Sequence, residues 1–292
     1  MIEGIYVPLF TSFNSDDTMD VDRTVAHAEL VASKGVTGLV PFGTFGEGSS
    51  LSLSEKKILL AALTEALPDT RMVPTLISNS FGDALEFIKF ANELPLKAIM
   101  LSPPNFFRPI PDEQLTGYFS RISKLSSHPI IAYNIPAFSL SLSPAVIKSS
   151  GVWGVKDSSG NFDVLENYIS AGNKVLVGQD VLLVRALVAG AFGGIMGFAN
   201  LFPRQMMRIY ELVRGGQVDE ADEILTDVIQ AIRCVVPGNS DFISTIGILK
   251  SMSGMMGHVS LGDMRSPLPS QTVSQHAQQL FLELATRLES KY

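Results

Sequence analysis

A single lysine ends one of the apolar runs of this 292-residue chain. In the stretch GVWGVKDSSGN, residues 151–161, the strand-like part stops at Lys156 and turn-forming polar residues follow. Burial disfavours the charged form of a lysine, and the neutral amine is a nucleophile that attacks carbonyl groups. The alternative is that the strand ends at the surface and that Lys156 is solvated. This stretch alone leaves both interpretations open.

Polar groups also follow other apolar runs of the chain. They lie in the stretches GTFGEGSS (43–50), PPNFFRP (103–109), YNIP (133–136), GQD (178–180) and GFAN (197–200). In a (β/α)8 barrel the carboxyl ends of all strands meet at one face, where active sites are built. A lysine that shares this face with hydroxyl and amide groups is typical of an aldolase that forms an iminium with a ketone.

Eight apolar runs alternate with segments of helical spacing. The runs are continuous rather than alternating, as expected for parallel strands buried on both faces. Eight such units at this length favour an α/β fold of the (β/α)8 TIM barrel type over an open, doubly wound sheet. We expect the barrel to span residues 1–215, and residues 216–292 to form two or three helices packed on it within one structural unit. The runs are residues 5–10, 37–42, 71–77, 97–102, 129–133, 152–156, 174–178 and 193–198.

Composition and charge narrow the classes of function. The formal net charge of −7, without a clustered basic run, argues against nucleic-acid binding. No apolar stretch approaches the roughly 18 residues of a membrane span, and the acidic N-terminal stretch does not predict a signal peptide. The single cysteine, Cys234, excludes an internal disulfide framework and fits a reducing compartment, so we expect the cytoplasm.

Neither a metal site nor a nucleotide loop is predicted. The four histidines, His27, His128, His258 and His276, show no metal-ligand spacing. The stretch GTFGEG lacks the lysine and the spacing of phosphate-binding glycine loops.

The chain resembles the dihydrodipicolinate synthase and N-acetylneuraminate lyase family of pyruvate-dependent aldolases, from the first predicted strand to the C-terminal helices. The resemblance rests on GTFGE, YNIP and GVKDSSGN, which match the family patterns G-[ST]-x-G-E, Y-N-x-P and G-[IV]-K-[DE]-x-[ST]-[GA]. Each motif is modest alone, but together, in this order and at strand ends, they are specific. In its motifs the chain is most similar to the 2-keto-3-deoxygluconate aldolases of the family.

The resemblance implies a role for each matching residue. Lys156 would form a Schiff base with the 2-oxo group of pyruvate or another 2-oxo acid, and no cofactor or metal would be needed. The Tyr133 hydroxyl would move protons during carbinolamine formation and carbon–carbon cleavage, and Thr44 would orient it. The backbone N–H groups of Thr44 and Phe45 would hold the substrate carboxylate. The other substrate contacts that it implies are Gly43, Gly178 and Ile195.

Three positions depart from the family pattern. Phe45 replaces a second hydroxyl residue, which removes a side-chain hydrogen bond worth about 1 kcal/mol. Phe138, in the substrate-binding region, stands where the lysine-pathway synthases carry an arginine that binds the carboxylate of the aldehyde, which argues against that activity. Phe106, or Phe107 in the other register, stands where a tyrosine reaches the neighbouring subunit's site in the family's homotetramer, a dimer of dimers. We expect these two rings to pack at a subunit interface near the site.

Asp180 supports a sugar-acid substrate, because the sugar-acid aldolases have an aspartate there that contacts substrate hydroxyls. The glutamate that follows it in sialic-acid lyases is Val181 here. An equally good interpretation is that Asp180 caps the following helix.

The predicted function is reversible aldol cleavage of a 2-keto-3-deoxy sugar acid, with 2-keto-3-deoxygluconate as the type, to pyruvate and an aldehyde. Two alternatives stay open. The first is another pyruvate-dependent condensation or a dehydration. The second is a catalytically weak homologue that binds 2-oxo acids, which Phe45 and Phe106 would mark.

Overall fold

The computed structural model describes residues 1–256 and 259–292, and eight parallel strands lie at its centre. Each predicted run overlaps one strand, and most of the strands are shorter than their runs. The strands are β1 (Gly4–Val7), β2 (Gly38–Leu39), β3 (in two segments, Arg71–Met72 and Thr75–Leu76), β4 (Ile99–Leu101), β5 (Ile130–Asn134), β6 (Gly154–Asp157), β7 (Val175–Val177) and β8 (Gly193–Ile195).

The third strand closes the barrel. Its first segment pairs with β2 and its second with β4, while β8 pairs with β1. Pro74 lies between the two segments and has no N–H to donate, which interrupts the ladder at this point. The two residues between the segments still bond to both neighbouring strands: the Val73 N–H donates to the Leu39 carbonyl of β2, and the Pro74 carbonyl accepts the N–H of Met100 in β4. The prediction of a closed TIM barrel rather than an open sheet is confirmed.

Each strand is followed by a helix, and three more helices follow the last β/α unit in the described part of the chain. None of the described helices is both long and apolar enough to cross a membrane. The helices are α1 (Val21–Ser33), α2 (Leu53–Ala66), α3 (Phe81–Ala91), α4 (Asp112–Leu125), α5 (Pro144–Ser149), α6 (Phe162–Ser170), α7 (Leu183–Val188), α8 (Pro203–Arg214), α9 (Val218–Val235), α10 (Phe242–Met255) and α11 (Gln275–Lys291).

Helix starts follow local chemistry. At α2, the Ser52 hydroxyl accepts the N–H of Glu55, and the Glu55 carboxylate accepts the N–H of Ser52. This reciprocal pair satisfies two of the N–H groups that a helix N-terminus leaves without partners. The start of α2 fixes where the preceding turn, which carries Thr44 and Phe45, must end.

The apolar core has two layers. Side chains that point into the barrel form the inner layer, and among them are Tyr6, Met100, Tyr133 and Ile195. The outer layer lies between strands and helices and continues without a break into α9, α10 and α11. The boundary predicted at residue 215 falls between α8 and α9. The C-terminal helices thus share their core with the barrel.

Candidate active site

Lys156 lies inside the barrel on β6, near the carboxyl end of the strand. The register pairs it with Tyr133 of β5 on one side and with Leu176 of β7 on the other. The residue is only 6% exposed, which excludes the interpretation that Lys156 is solvated. Gly178 leaves room for it, because a Cβ there would lie 2.6 Å from Lys156 Cε.

Three polar side chains form a connected chain across the inside of the barrel. Lys156 Nζ donates to the Tyr133 hydroxyl at 3.2 Å, and that hydroxyl lies 3.0 Å from Thr44 Oγ1. Lys156 Nζ also lies 4.3 Å from the centre of the Tyr133 ring. The structure therefore brings together the three residues that the sequence analysis assigned to catalysis, from β6, β5 and the turn after β2.

The turn after β2 exposes two backbone N–H groups to the site. The Gly43 carbonyl accepts the N–H groups of both Gly46 and Gly48, which makes the turn tight. A Cβ on Gly48 would lie 1.7 Å from the Phe42 carbonyl oxygen, so only glycine fits there. The N–H groups of Thr44 and Phe45 have no acceptor among the described residues. Neighbouring N–H groups in a tight turn are suited to bind a carboxylate.

A buried ion pair ties this turn to the C-terminal helices. The Glu47 carboxylate accepts from Lys250 Nζ of α10 at 2.8 Å and from the Arg265 N–H at 2.8 Å. Burial raises the pKa of Glu47 and lowers the pKa of Lys250, because loss of hydration disfavours both charged forms. The charge of each partner opposes this pKa shift in the other, and both side chains are at most 1% exposed.

A cavity of about 230 Å³ opens above Lys156. It is small for a ligand site, since pockets for small molecules commonly span about 300–1,000 Å³. Eight of the predicted site residues line it: Gly43, Thr44, Phe45, Tyr133, Phe138, Lys156, Gly178 and Ile195. The sequence analysis did not single out the other lining residues, which are Pro8, Met100, Ile135, Ala137, Ser158, Ser159, Gln179 and Phe242.

Three polar residues, Ser158, Ser159 and Gln179, line part of the cavity, and we call them the polar wall. The Ser158 hydroxyl oxygen is buried and has no partner within the described residues. Because a Cβ on Gly178 would lie 2.1 Å from Ser158 Oγ and 2.6 Å from Lys156 Cε, both side chains adjoin this glycine. The sequence could have indicated the polar wall, because its residues come shortly after strand ends. Ser158 and Ser159 closely follow Lys156, and Gln179 closely follows β7.

Three aromatic residues, Phe45, Phe138 and Phe242, also line the cavity, and we call them the aromatic wall. The Phe242 ring meets Phe45 edge-on at 5.9 Å and Phe138 at 5.8 Å, measured between ring centres. Phe45 also packs on Phe10 at 5.8 Å. Sequence reasoning missed Phe242 because α10 follows the last barrel strand and carries no motif.

Asp180 is buried at the end of β7. Its carboxylate accepts the N–H groups of Phe198 at 2.9 Å and Gly197 at 3.2 Å, in the turn after β8. It does not line the cavity, so contact with substrate hydroxyls stays a prediction. The helix-cap prediction is wrong, because α7 begins after Leu182 without a side-chain cap. Instead, Asp180 joins the ends of β7 and β8.

The burial of Asp180 gives a testable pH dependence. Loss of hydration raises its pKa to about 6, against the opposing effects of the two N–H groups and of Lys156. Between pH 4 and 6 the folded chain therefore binds more protons than the unfolded chain at this group, whose pKa there is about 3.9. The stability that Asp180 contributes is greatest below pH 4 and is lost as the pH rises through 6.

We expect the free energy of unfolding of the native chain to fall by on the order of 2–3 kcal/mol more between pH 4 and pH 7 than that of Asp180→Asn. Urea titrations at both pH values measure this difference, because all other groups titrate in both proteins. Equal changes in the two proteins would mean that Asp180 is ionised across this range.

Phe106 and Phe107 lie on the loop after β4 and are 77% and 74% exposed. Their rings meet edge-on at 5.3 Å. The Asn79 side chain holds the loop by accepting the N–H groups of Asn105 and Phe106. Neither ring lines the cavity of its own chain. Their predicted place at a subunit interface stays a prediction.

The histidines and acidic side chains form no metal centre in residues 1–256 and 259–292, where no group of three or more His, Cys, Asp or Glu side chains could hold an ion. His27 Nε2 lies 3.0 Å from the Asn200 side-chain oxygen, inside the protein. His258 lies outside the described residues.

A closed barrel with a buried lysine bonded to a tyrosine defines the class of the protein: it is a lyase of the Schiff-base-forming aldolase type. Residues 1–286 match the Dihydrodipicolinate synthetase family. The chain belongs to this family of pyruvate-dependent aldolases and lyases.

One curated relative and two solved structures illustrate what the chain is similar to. The 4-hydroxy-tetrahydrodipicolinate synthase of Methanosarcina barkeri is 30% identical over 280 residues, which cover 92% of each chain. A variant of 2-keto-3-deoxygluconate aldolase from Sulfolobus solfataricus has the same fold, with a TM-score of 0.86 and 22% identity over 99% of this chain and 97% of that one. A catalytic lysine mutant of the Ruminococcus gnavus sialic acid aldolase also has this fold. Its TM-score is 0.87, and its sequence is 21% identical, over 99% of this chain and 96% of that one.

Proposed function

We propose that the protein cleaves a 2-keto-3-deoxy sugar acid reversibly to pyruvate and an aldehyde, through a Schiff base on Lys156. The observation that carries the proposal is the chain of hydrogen bonds from Lys156 Nζ through the Tyr133 hydroxyl to Thr44 Oγ1. It puts a nucleophile, a proton carrier and an orienting group within one small cavity. The names of the solved relatives, a 2-keto-3-deoxygluconate aldolase and a sialic acid aldolase, support this chemistry.

The first stage makes the imine. The neutral Lys156 amine attacks the 2-oxo carbon, and the Tyr133 hydroxyl carries protons between the nitrogen and the carbinolamine oxygen until water leaves. The substrate carboxylate accepts the N–H groups of Thr44 and Phe45, which places the 2-oxo group beside the amine. Thr44 Oγ1 keeps the Tyr133 hydroxyl oriented towards the reacting atoms, since a positioned group transfers protons most effectively.

The second stage breaks the C3–C4 bond. Tyr133 takes the proton of the C4 hydroxyl, the aldehyde leaves, and the bonding electrons pass into the iminium to give an enamine. Protonation of C3 and hydrolysis of the imine then release pyruvate and return the free amine. The water lost in the first stage is consumed here, so no cofactor or oxidant enters the reaction.

The proposed substrate rests on two observations: the residues that line the cavity and the positions that depart from the family pattern. Ser158, Ser159 and Gln179 offer hydrogen bonds to the hydroxyls of a short sugar acid. The synthase activity of the archaeal relatives is not proposed for this chain, because Phe138 lines the cavity where the resemblance places a carboxylate-binding arginine. A cytoplasmic homotetramer, with Phe106 and Phe107 at an interface, is part of the same proposal.

Borohydride trapping with pyruvate tests the proposal. Reduction of an imine links pyruvate permanently to the protein, and we expect one adduct, which peptide mapping assigns to Lys156. The Lys156→Met variant replaces the amine with an apolar side chain of similar length. It should give no adduct under the same conditions.

The outcomes separate the alternatives. No adduct on a folded native chain contradicts the Schiff-base reaction. An adduct without turnover of any aldehyde supports the weak 2-oxo-acid-binding homologue instead.

A further inference from the structure

We propose that the aldehyde partner is a short hydroxyaldehyde with a terminal methyl group, so that the cleaved substrate is a 2-keto-3-deoxy acid that ends in a methyl. This inference rests on the proposed function and specifies its substrate class. It is carried by the unlike chemistry of the two walls above Lys156, one polar and one aromatic.

The exposure of the lining residues indicates in which direction the carbon chain of the substrate runs. Lys156 is 6% exposed and lies at the inner end, whereas Phe138 is 37% exposed and lies at the outer end. Phe138 and Phe242 are in contact there. A substrate attached to Lys156 through C2, with its carboxylate at the turn after β2, therefore extends its later carbons towards Phe138 and Phe242.

The polar wall begins beside Lys156. Ser158 Oγ and Lys156 Cε both adjoin Gly178, so the unpartnered Ser158 hydroxyl lies close to the carbons next to the imine. A buried hydroxyl without a partner is costly, and a substrate hydroxyl would satisfy it. We therefore assign the hydroxyls of the middle carbons to the polar wall.

The aromatic wall offers the far end no side-chain hydrogen bond. Phe45, Phe138 and Phe242 present ring carbons, and their mutual contacts fix the ring positions. A terminal hydroxyl placed there gains no hydrogen bond from the rings, whereas a methyl group packs against them. A terminal carboxylate would be worse still, because no cation faces it from this wall.

The reaction is balanced in the direction of synthesis. The enamine carbon of Lys156-bound pyruvate forms one bond to the aldehyde carbon, whose oxygen takes a proton from Tyr133. Hydrolysis of the resulting imine releases the six-carbon acid. Nothing is oxidised or reduced.

Lactaldehyde and glyceraldehyde form a matched pair of acceptors, because they differ only in one terminal hydroxyl. With pyruvate as donor, we expect kcat/KM to be about 10- to 100-fold higher for lactaldehyde, the discrimination that an apolar pocket gives against an added hydroxyl. Succinic semialdehyde, which ends in a carboxylate, should react more slowly than either.

Phe242→Gln places an amide in the aromatic wall, and we expect it to reduce the preference for lactaldehyde to within about threefold. Val188→Ser is the matched control, since Val188 is exposed at the end of α7 and does not line the cavity. It should keep the full preference.

Borohydride trapping in the same samples distinguishes failure of this inference from failure of the proposed function. If pyruvate is trapped on Lys156 but glyceraldehyde reacts as well as lactaldehyde, or neither reacts, this inference is overturned while the Schiff base stands. If no adduct forms, the proposed function fails and takes the inference with it. A preference for lactaldehyde that persists unchanged in Phe242→Gln also overturns the role given to the aromatic wall.

Discussion

Tyr133→Phe slows aldol cleavage by about 10²- to 10⁴-fold, the range by which a positioned proton carrier speeds a reaction. The substitution removes only the hydroxyl that lies between Lys156 Nζ and Thr44 Oγ1, and it keeps the buried ring against its neighbours. Pyruvate is still trapped on Lys156, but more slowly, because carbinolamine formation needs the same hydroxyl. Steady-state kcat and the rate of trapping measure the two effects.

Thr44→Val is the companion variant. It leaves the Tyr133 hydroxyl in place and removes only its orienting partner at 3.0 Å. We expect a smaller loss of kcat, about tenfold, because the hydroxyl still transfers protons but is no longer held in one orientation. If Tyr133→Phe keeps kcat within tenfold of the native value, Tyr133 is not the proton carrier.

Lys250→Met destabilises the fold by about 3–5 kcal/mol, since it leaves the Glu47 carboxylate buried and without its cation. Among the described residues, the Arg265 N–H would still donate to this carboxylate, and the Arg265 guanidinium would still favour its charged form. The same change loosens the turn that presents the N–H groups of Thr44 and Phe45, so the KM for pyruvate rises as well. Urea denaturation gives the free energy of unfolding, and initial rates give KM.

The double variant Glu47→Gln with Lys250→Met serves as the control. A neutral amide can still accept the Arg265 N–H, and no unpaired charge remains inside. We expect it to be more stable than Lys250→Met alone. A loss below about 1 kcal/mol in the single variant would show that Glu47 finds water or another cation there.

The sequence predicted those parts of the site that lie within one local pattern. Lys156 and Tyr133 each end a continuous apolar run, so the β/α pattern and the barrel rule place both at one face. The turn that carries Thr44 was visible from its glycines, of which Gly48 lies close to the nearby Phe42 carbonyl. The closed barrel could be predicted by counting the apolar runs. The interruption of β3 at Pro74 and the short length of the strands could not.

Contacts between remote segments could not be predicted from local patterns. Glu47 and Lys250 are 203 residues apart, and no periodicity or motif links them. The contact of Phe242 with Phe45 and Phe138 likewise depends on where α10 packs. Asp180 was identified as a polar group at the end of β7, but its partners belong to the turn after β8. Such pairings depend on the packed structure as a whole.

The ring of Phe242 comes from α10, outside the eight β/α units, whereas Lys156 and Tyr133 come from the strands themselves. In the proposed reaction, one ring of the aromatic wall is thus encoded outside the stretches that make the imine. We expect substitutions at Phe242 to change which aldehyde is accepted without altering Lys156 or Tyr133. In evolutionary terms, an ancestral barrel of this kind can acquire new substrates while its reaction stays the same.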